Sequence, residues 1–282
     1  FLSKNPVIQA LILAVVVALA FFLNALPTRA SMSEADISTS YNRVLIDRLD
    51  RFNEVRTLST DPFGTQCAME MNEDGTANEA VLVFPYLKAF EIVREAVYPK
   101  EDARVLFLGG CNYSYPRYLL GLFPEMSADV VEIDPGMTAI AEEYFSFDPL
   151  KFPTLSITHQ DARIFLKTKH NAYDVVFMDT FGTSKGIPVH LTTQEMFESI
   201  AENMHPKSHL VINAHGAYAG KLSDFSSALF KTLKTVFPSV SVYVMSDASD
   251  VNQNLIFVAS YSTELSNFII SKNFPEVGLA RV

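Results

Sequence analysis

Residues 104–134, RVLFLGGCNYSYPRYLLGLFPEMSADVVEID, decide how this chain folds. The apolar run Val105-Leu106-Phe107-Leu108 is short enough for a buried strand. Gly109-Gly110 break it, and apolar residues at Tyr118, Leu119, Leu122 and Phe123 then recur with helical spacing. A second apolar run, 128–133, ends among acids at Glu132 and Asp134. Strand, glycine turn, helix, strand with a terminal carboxylate is the first half of a nucleotide-binding βαβ unit. The glycines let backbone come close to a ligand, and the strand-end acid can accept hydrogen bonds from both hydroxyls of a ribose.

Outward from this stretch, the same alternation continues. Strands are predicted at 104–108, 128–133, 154–158, 173–178, 209–213, 240–245 and 254–259. Helices are predicted at 136–145, 162–169, 193–204, 223–237 and 264–272, with a further one at 80–97 before Pro99. Seven strands with helices between them make an α/β, doubly wound, mostly parallel sheet. The last two are joined only by a polar loop, 246–253, and are expected to be antiparallel, as in methyltransferase-like rather than dehydrogenase sheets. Ahead of this domain, the segments 40–49, 53–59 and 65–71 are separated by turn-forming clusters such as Asn72-Glu73-Asp74-Gly75. They predict a small antiparallel β module over 38–79, with the Rossmann-like domain over 80–282.

Residues 6–26 carry no charge, and 11–23 are unbroken apolar sequence. As a helix this segment would be about 31 Å long, matching a bilayer core of roughly 30 Å. A signal peptide is the alternative, with Lys4 at its charged end. Because the chain retains the segment, a single-span anchor over 1–27 is expected, followed by a polar linker over 28–37. Lys4 on one side, and Arg29, Arg43 and Arg48 among Glu34 and Asp36 on the other, do not fix the orientation. A cytoplasmic soluble domain is marginally favoured. The formal net charge of −10 and the lack of a Lys/Arg run argue against a nucleic-acid partner. Cys67 and Cys111 match no metal or disulfide spacing and read as two free thiols, which suits a reducing compartment and leaves a periplasmic protein without disulfides open. No histidine has metal-ligand spacing, so no metal is expected.

The order of the motifs resembles the spermidine synthase (polyamine aminopropyltransferase) family, and within it bacterial membrane-linked relatives. The pieces are Ser40-Tyr41-Asn42, residues 58–61, Gly109-Gly110-Cys111-Asn112, Val131-Glu132-Ile133-Asp134-Pro135, Gln160-Asp161-Ala162-Arg163, residues 173–179 and Pro188-Val189-His190-Leu191-Thr192. The resemblance implies a transferase using S-adenosylmethionine or its decarboxylated form. Gly109, Gly110, Asn112, Glu132, Asp134, Asp161 and Ala162 would then form the cofactor site, with Glu132 on the ribose and Asp161 on the adenine amino group. Asp179 would be the catalytic base, because an amine must lose a proton before it is nucleophilic. Tyr41 and His190 would face the substrate. Asp161 also suits a helix N-cap, Tyr41 a packed aromatic, and His190 a hydrogen bond that orders its own loop.

The chain departs from the family pattern at three points. Asn112 replaces an aspartate, Tyr113-Ser114 replace glycines, and Gly182 replaces the second acid of the gating loop. A polyamine is a multiply charged cation, and each lost carboxylate removes about 1–4 kcal/mol of attraction near a surface. An acceptor less cationic than putrescine is therefore expected, and Tyr113 is placed where it could block the cofactor tail. The competing expectation is a catalytically inactive accessory subunit of a membrane complex, binding no cofactor. Partners expected are the membrane itself, membrane subunits and a second copy of the chain as a homodimer.

Overall fold

A computed structural model describes residues 33–48, 55–60, 64–98, 100–168, 172–182, 186–262 and 280–281. The apolar segment at 6–26 and the helix expected at 264–272 lie outside these residues. Among the described residues no helix is long and apolar enough to cross a membrane.

Two sheets form. The first is a four-stranded antiparallel meander of β1 (Ala35–Ser38), β2 (Arg43–Arg48), β3 (Val55–Ser59) and β4 (Cys67–Glu70). Its first strand falls where a linker was expected, because Asp36 and Glu34 pair with Arg43 and Arg48 across the β1–β2 hairpin. Its apolar face (Val44, Ile46, Leu58, Met69) packs on Met137 and Ile140 of the large domain.

The second sheet contains β5 (Arg104–Leu108), β6 (Ser127–Glu132), β7 (Leu155–His159), β8 (Tyr173–Met178), β9 (Met204–Gly216), β10 (Ser239–Val244), β11 (Gln253–Ser260) and β12 (Ala280–Arg281), in the order β12-β10-β11-β9-β8-β5-β6-β7. Strands β5 to β9 are parallel, and β11 is inserted antiparallel between β9 and β10. The antiparallel expectation for the last two strands is met, with β12 as an added edge strand. Helices α1 (Pro85–Val97), α2 (Ser114–Leu122), α3 (Pro135–Tyr144), α4 (Ala162–Thr168), α5 (Gln194–Glu202) and α6 (Asp224–Val236) cover the sheet.

The central strands are apolar throughout because both faces are buried. Val105 and Phe107 of β5, with Val175 and Phe177 of β8, enter one core with Phe90 and Val93 of α1 and Leu119 of α2. Leu106 and Leu108, with Val176 and Met178, enter the opposite core with α4, α5 and α6. The alternation follows from the two-residue period of a strand. From β5 the chain moves to β6 and β7 on one side, then to β8 and β9 on the other. The switch point therefore lies between β5 and β8, where open α/β sheets bind ligands.

One core group weakens the fold in acid. His209 of β9 is 3% exposed, and neither ring nitrogen has a partner among the described residues. Burial lowers its pKa from 6.5 to about 4. The folded chain keeps the ring neutral while the unfolded chain protonates it, so stability is lost as pH falls from 6.5 toward 4. Chemical denaturation at pH 7.5 and pH 5 should show a loss of about 2 kcal/mol from this group. His209→Leu should lack that component of the loss.

Candidate functional site

Three connected cavities open at the carboxyl ends of β5, β6 and β8. One of them, ≈ 870 Å³ with the solvent space at its mouth, is lined by Gly109, Gly110, Glu132, Asp161, Ala162 and Asp179, among others, and by Asn42, Thr60 and Gln66 of the smaller module and its flanks.

The glycine turn is fixed by close packing. Gly109 has φ +98°, and a Cβ there would lie 2.3 Å from the Asp179 carbonyl oxygen. Only glycine allows β5 and β8 to approach so closely. The Gly110 and Cys111 N–H groups donate to Glu132 Oε2 at 2.8 and 3.2 Å, and the Asp134 N–H donates to Oε1 at 3.0 Å. Glu132 is thus locked beneath the turn with one edge on the cavity. Arg117, fully buried, donates from Nη1 to the Phe145 carbonyl and from Nη2 to the Asn112 carbonyl, each at 2.8 Å, holding the turn from behind. Desolvation lowers its pKa to about 10, so it stays cationic at neutral pH.

Tyr113 does not block the site. Its ring is buried under Gly110, stacks on Phe147 at 4.5 Å, and its hydroxyl meets Thr138 Oγ1 at 2.6 Å. It lines none of the three cavities. Its φ of +59° at the start of α2 turns the side chain into the core.

Asp161 caps α4, its Oδ1 accepting from the Arg163 and Ile164 N–H groups at 2.9 and 3.1 Å. Its Oδ2 faces His190 Nε2 at 3.2 Å. His190, half-exposed, sits on the loop over the cavity, and its carbonyl accepts from Arg163 Nη1 at 3.1 Å. Ala162 forms the wall beside Asp161.

Asp179 lines two of the three cavities, and its partners Tyr86 and Asn213 line the third. Its Oδ1 accepts from Asn213 Nδ2 and its Oδ2 from the Tyr86 hydroxyl, both at 2.9 Å. Asn213 is oriented in turn by Asn254 Nδ2 at 2.9 Å. Desolvation raises the Asp179 pKa from 3.8 to about 6, against the opposing pull of those two hydrogen bonds. The carboxyl therefore titrates close to neutrality, as a general base should. Burial and the neighbouring carboxylate push the Tyr86 hydroxyl well above its usual range, so it remains a donor.

The structure corrects three expectations. Asp134 is fully buried and lines none of the cavities; its Oδ1 caps α3 through the Gly136 N–H, and its Oδ2 accepts from Thr39 and Asn42. It fastens the β1–β2 turn to the start of α3. Tyr41 is 54% exposed at that same turn and lines none of the cavities; its neighbour Asn42 does. Cys67 and Cys111 are not free thiols but form a disulfide, with Cα atoms 6.4 Å apart. Tyr86, Asn213 and Asn254 were not anticipated, since they come from α1, β9 and β11 and share no sequence motif.

No family model matches the chain. It is 31% identical over 155 residues to a polyamine aminopropyltransferase of Vibrio vulnificus (strain CMCP6), covering 54% of this chain and 50% of that protein. It is 30% identical over 150 residues to a probable polyamine aminopropyl transferase of Bifidobacterium longum (strain NCC 2705), covering 53% and 32%. The chain thus spans half the length of the first relative and about a third of the second. Among solved structures, a probable spermidine synthase from Corynebacterium glutamicum ATCC 13032 superposes with TM-score 0.71 at 18% identity, over 88% of this chain and 89% of that one. A spermidine synthase in complex with the transition state analogue AdoDATO gives 0.63 at 17% identity, over 88% and 84%. Human methyltransferase-like protein 13 in complex with SAH gives 0.54 at 20%, over 68% and 87%. The fold, a small antiparallel sheet on a methyltransferase-type α/β domain, is therefore spermidine synthase-like, and the sequence is similar to those of the polyamine aminopropyltransferases.

Proposed function

We propose that the chain is a transferase that takes an alkyl group from an adenosyl sulfonium, S-adenosylmethionine or its decarboxylated form, and passes it to an amine. The observation that carries this is the geometry of Asp179: a carboxylate held by Tyr86 and Asn213 and lining both the nucleoside cavity and the channel beside it, its pKa pushed up to about 6 by desolvation. The nucleoside would occupy the first cavity, its ribose on Glu132 Oε1, which takes one backbone N–H where Oε2 takes two, and its adenine beside Asp161 and Ala162. The donor supplies a carbon made electrophilic by positive sulfur. The acceptor amine would lose its proton to Asp179 as it attacks. The relatives' names and the nucleoside-derived ligands of two structural neighbours support this reading.

The acceptor would lie in the ≈ 740 Å³ outer cavity lined by Gln66, Phe84, Tyr86, Phe181, Asn213 and Asn254. Its described lining residues are amides, aromatic rings, a histidine and small residues, with no carboxylate. A dication such as putrescine would leave one charge unpaired, whereas a monoamine with an uncharged body would not. Release of the nucleoside thioether should be at least tenfold faster with monoamines than with putrescine. A rate highest with putrescine would refute the assignment.

We read residues 6–26 as a membrane anchor. A disulfide persists in oxidising compartments, so Cys67–Cys111 favours the extracytoplasmic side over the cytoplasmic one. A second reading, a non-catalytic subunit of a membrane complex, is favoured by Glu132 and Asp161 being satisfied internally by backbone N–H groups and His190. Stoichiometric co-purifying subunits together with absent turnover would select it.

A further inference from the structure

The third cavity assigns the donor, on the transferase reading given above. This narrow channel shares Gly109, Gly110, Cys111 and Asp179 with the nucleoside cavity. It runs between β4 and α1 to Asn112 and is walled by Phe84, Phe90, Phe107, Tyr115 and Phe177. A nucleoside in the first cavity would have its sulfur substituent beside this channel, because the two share Gly109, Gly110 and Asp179.

Asn112 is 2% exposed. Its Oδ1 accepts from the Ser114 N–H at 3.3 Å and from the Ser114 hydroxyl. A backbone N–H can only donate, so the side-chain oxygen must face Ser114 and the Nδ2 the other way. That Nδ2 is buried and has no partner among the described residues. A buried amide donor without an acceptor is unfavourable, and few folded proteins keep one without a reason. What it lacks is an acceptor.

The two donor nucleosides differ in just this respect. The decarboxylated form ends its tail in an ammonium, which has three donors and no acceptor. The methionyl tail of S-adenosylmethionine adds a carboxylate. We propose that the channel takes the carboxylated tail, with its α-carboxylate on Asn112 Nδ2, and that S-adenosylmethionine itself is the donor. The group transferred is then methyl or 3-amino-3-carboxypropyl. In either case the amine nitrogen forms a bond to the carbon, the carbon–sulfur bond breaks, and its electron pair stays on sulfur as a neutral thioether. The amine proton goes to Asp179.

The test is titration calorimetry of the full chain with S-adenosylhomocysteine, its decarboxylated counterpart, and methylthioadenosine, whose lone methyl sends no charged tail into the channel. Relative to methylthioadenosine, S-adenosylhomocysteine should bind at least tenfold more tightly than the decarboxylated compound. Asn112→Asp should reverse that order and Asn112→Ala should abolish the preference. Equal or tighter binding of the decarboxylated compound, with methylthioadenosine bound, overturns the donor assignment alone. Failure of all three to bind overturns the transferase reading and this assignment with it.

Discussion

Asp179→Asn is expected to lower turnover by about 10²–10⁴-fold, the range for loss of a general base, while making the protein more stable at neutral pH. The amide can still accept from Asn213 and meet the Tyr86 hydroxyl, so the site keeps its shape. It cannot take a proton from the amine. The stability change follows from the raised acidity constant. A carboxyl at about 6 in the fold and 3.8 when unfolded stabilises the fold fully only below 3.8, and that contribution is lost as pH rises through 6. At pH 7.5 the ionised group is a net cost of up to about 3 kcal/mol; partial exposure argues for the lower part of a range of about 1–3. In the unmodified chain kcat/KM should rise with pH through about 6. Tyr86→Phe, which removes a donor to the carboxylate, should move that rise to higher pH.

Breaking the Cys67–Cys111 bond is expected to destabilise the fold by about 4 kcal/mol. The cysteines are 44 residues apart, and the chain-entropy estimate for a loop of that length gives this magnitude. The link also joins β4 of the small module to the residue whose N–H holds Glu132. Denaturation with and without a dithiol should therefore differ by this amount. Reduction should also weaken nucleoside binding, because the turn that positions Glu132 loses its tie to the β module. A Cys67→Ser/Cys111→Ser variant should match the reduced protein.

Much of the candidate cavity's lining could be read from the chain because strand ends fix positions. Gly109, Glu132, Asp161 and Asp179 each end or follow a strand of the parallel sheet, and the sheet brings those ends together whatever lies between. Asp134 has the same kind of position, yet it turned inward. A carboxylate before Pro135 can cap a helix as readily as hold a ligand, and Thr39 and Asn42 decided the matter from 90 residues away or more. The disulfide, Tyr86, Asn213 and Asn254 were illegible for the same reason: each depends on a pairing between distant segments that no local pattern encodes. Tyr113 was legible as an oddity in the glycine turn, but its direction was set by Phe147 and Thr138.

The account rests on the cavity between Glu132 and Asp161 holding an adenine nucleoside. Calorimetric titration of methylthioadenosine into the full chain, beside Asp161→Ala, tests this most directly. Saturable one-to-one binding, weakened at least tenfold in the variant, is the predicted result. Absence of binding at millimolar methylthioadenosine, or equal affinity in both proteins, would contradict it.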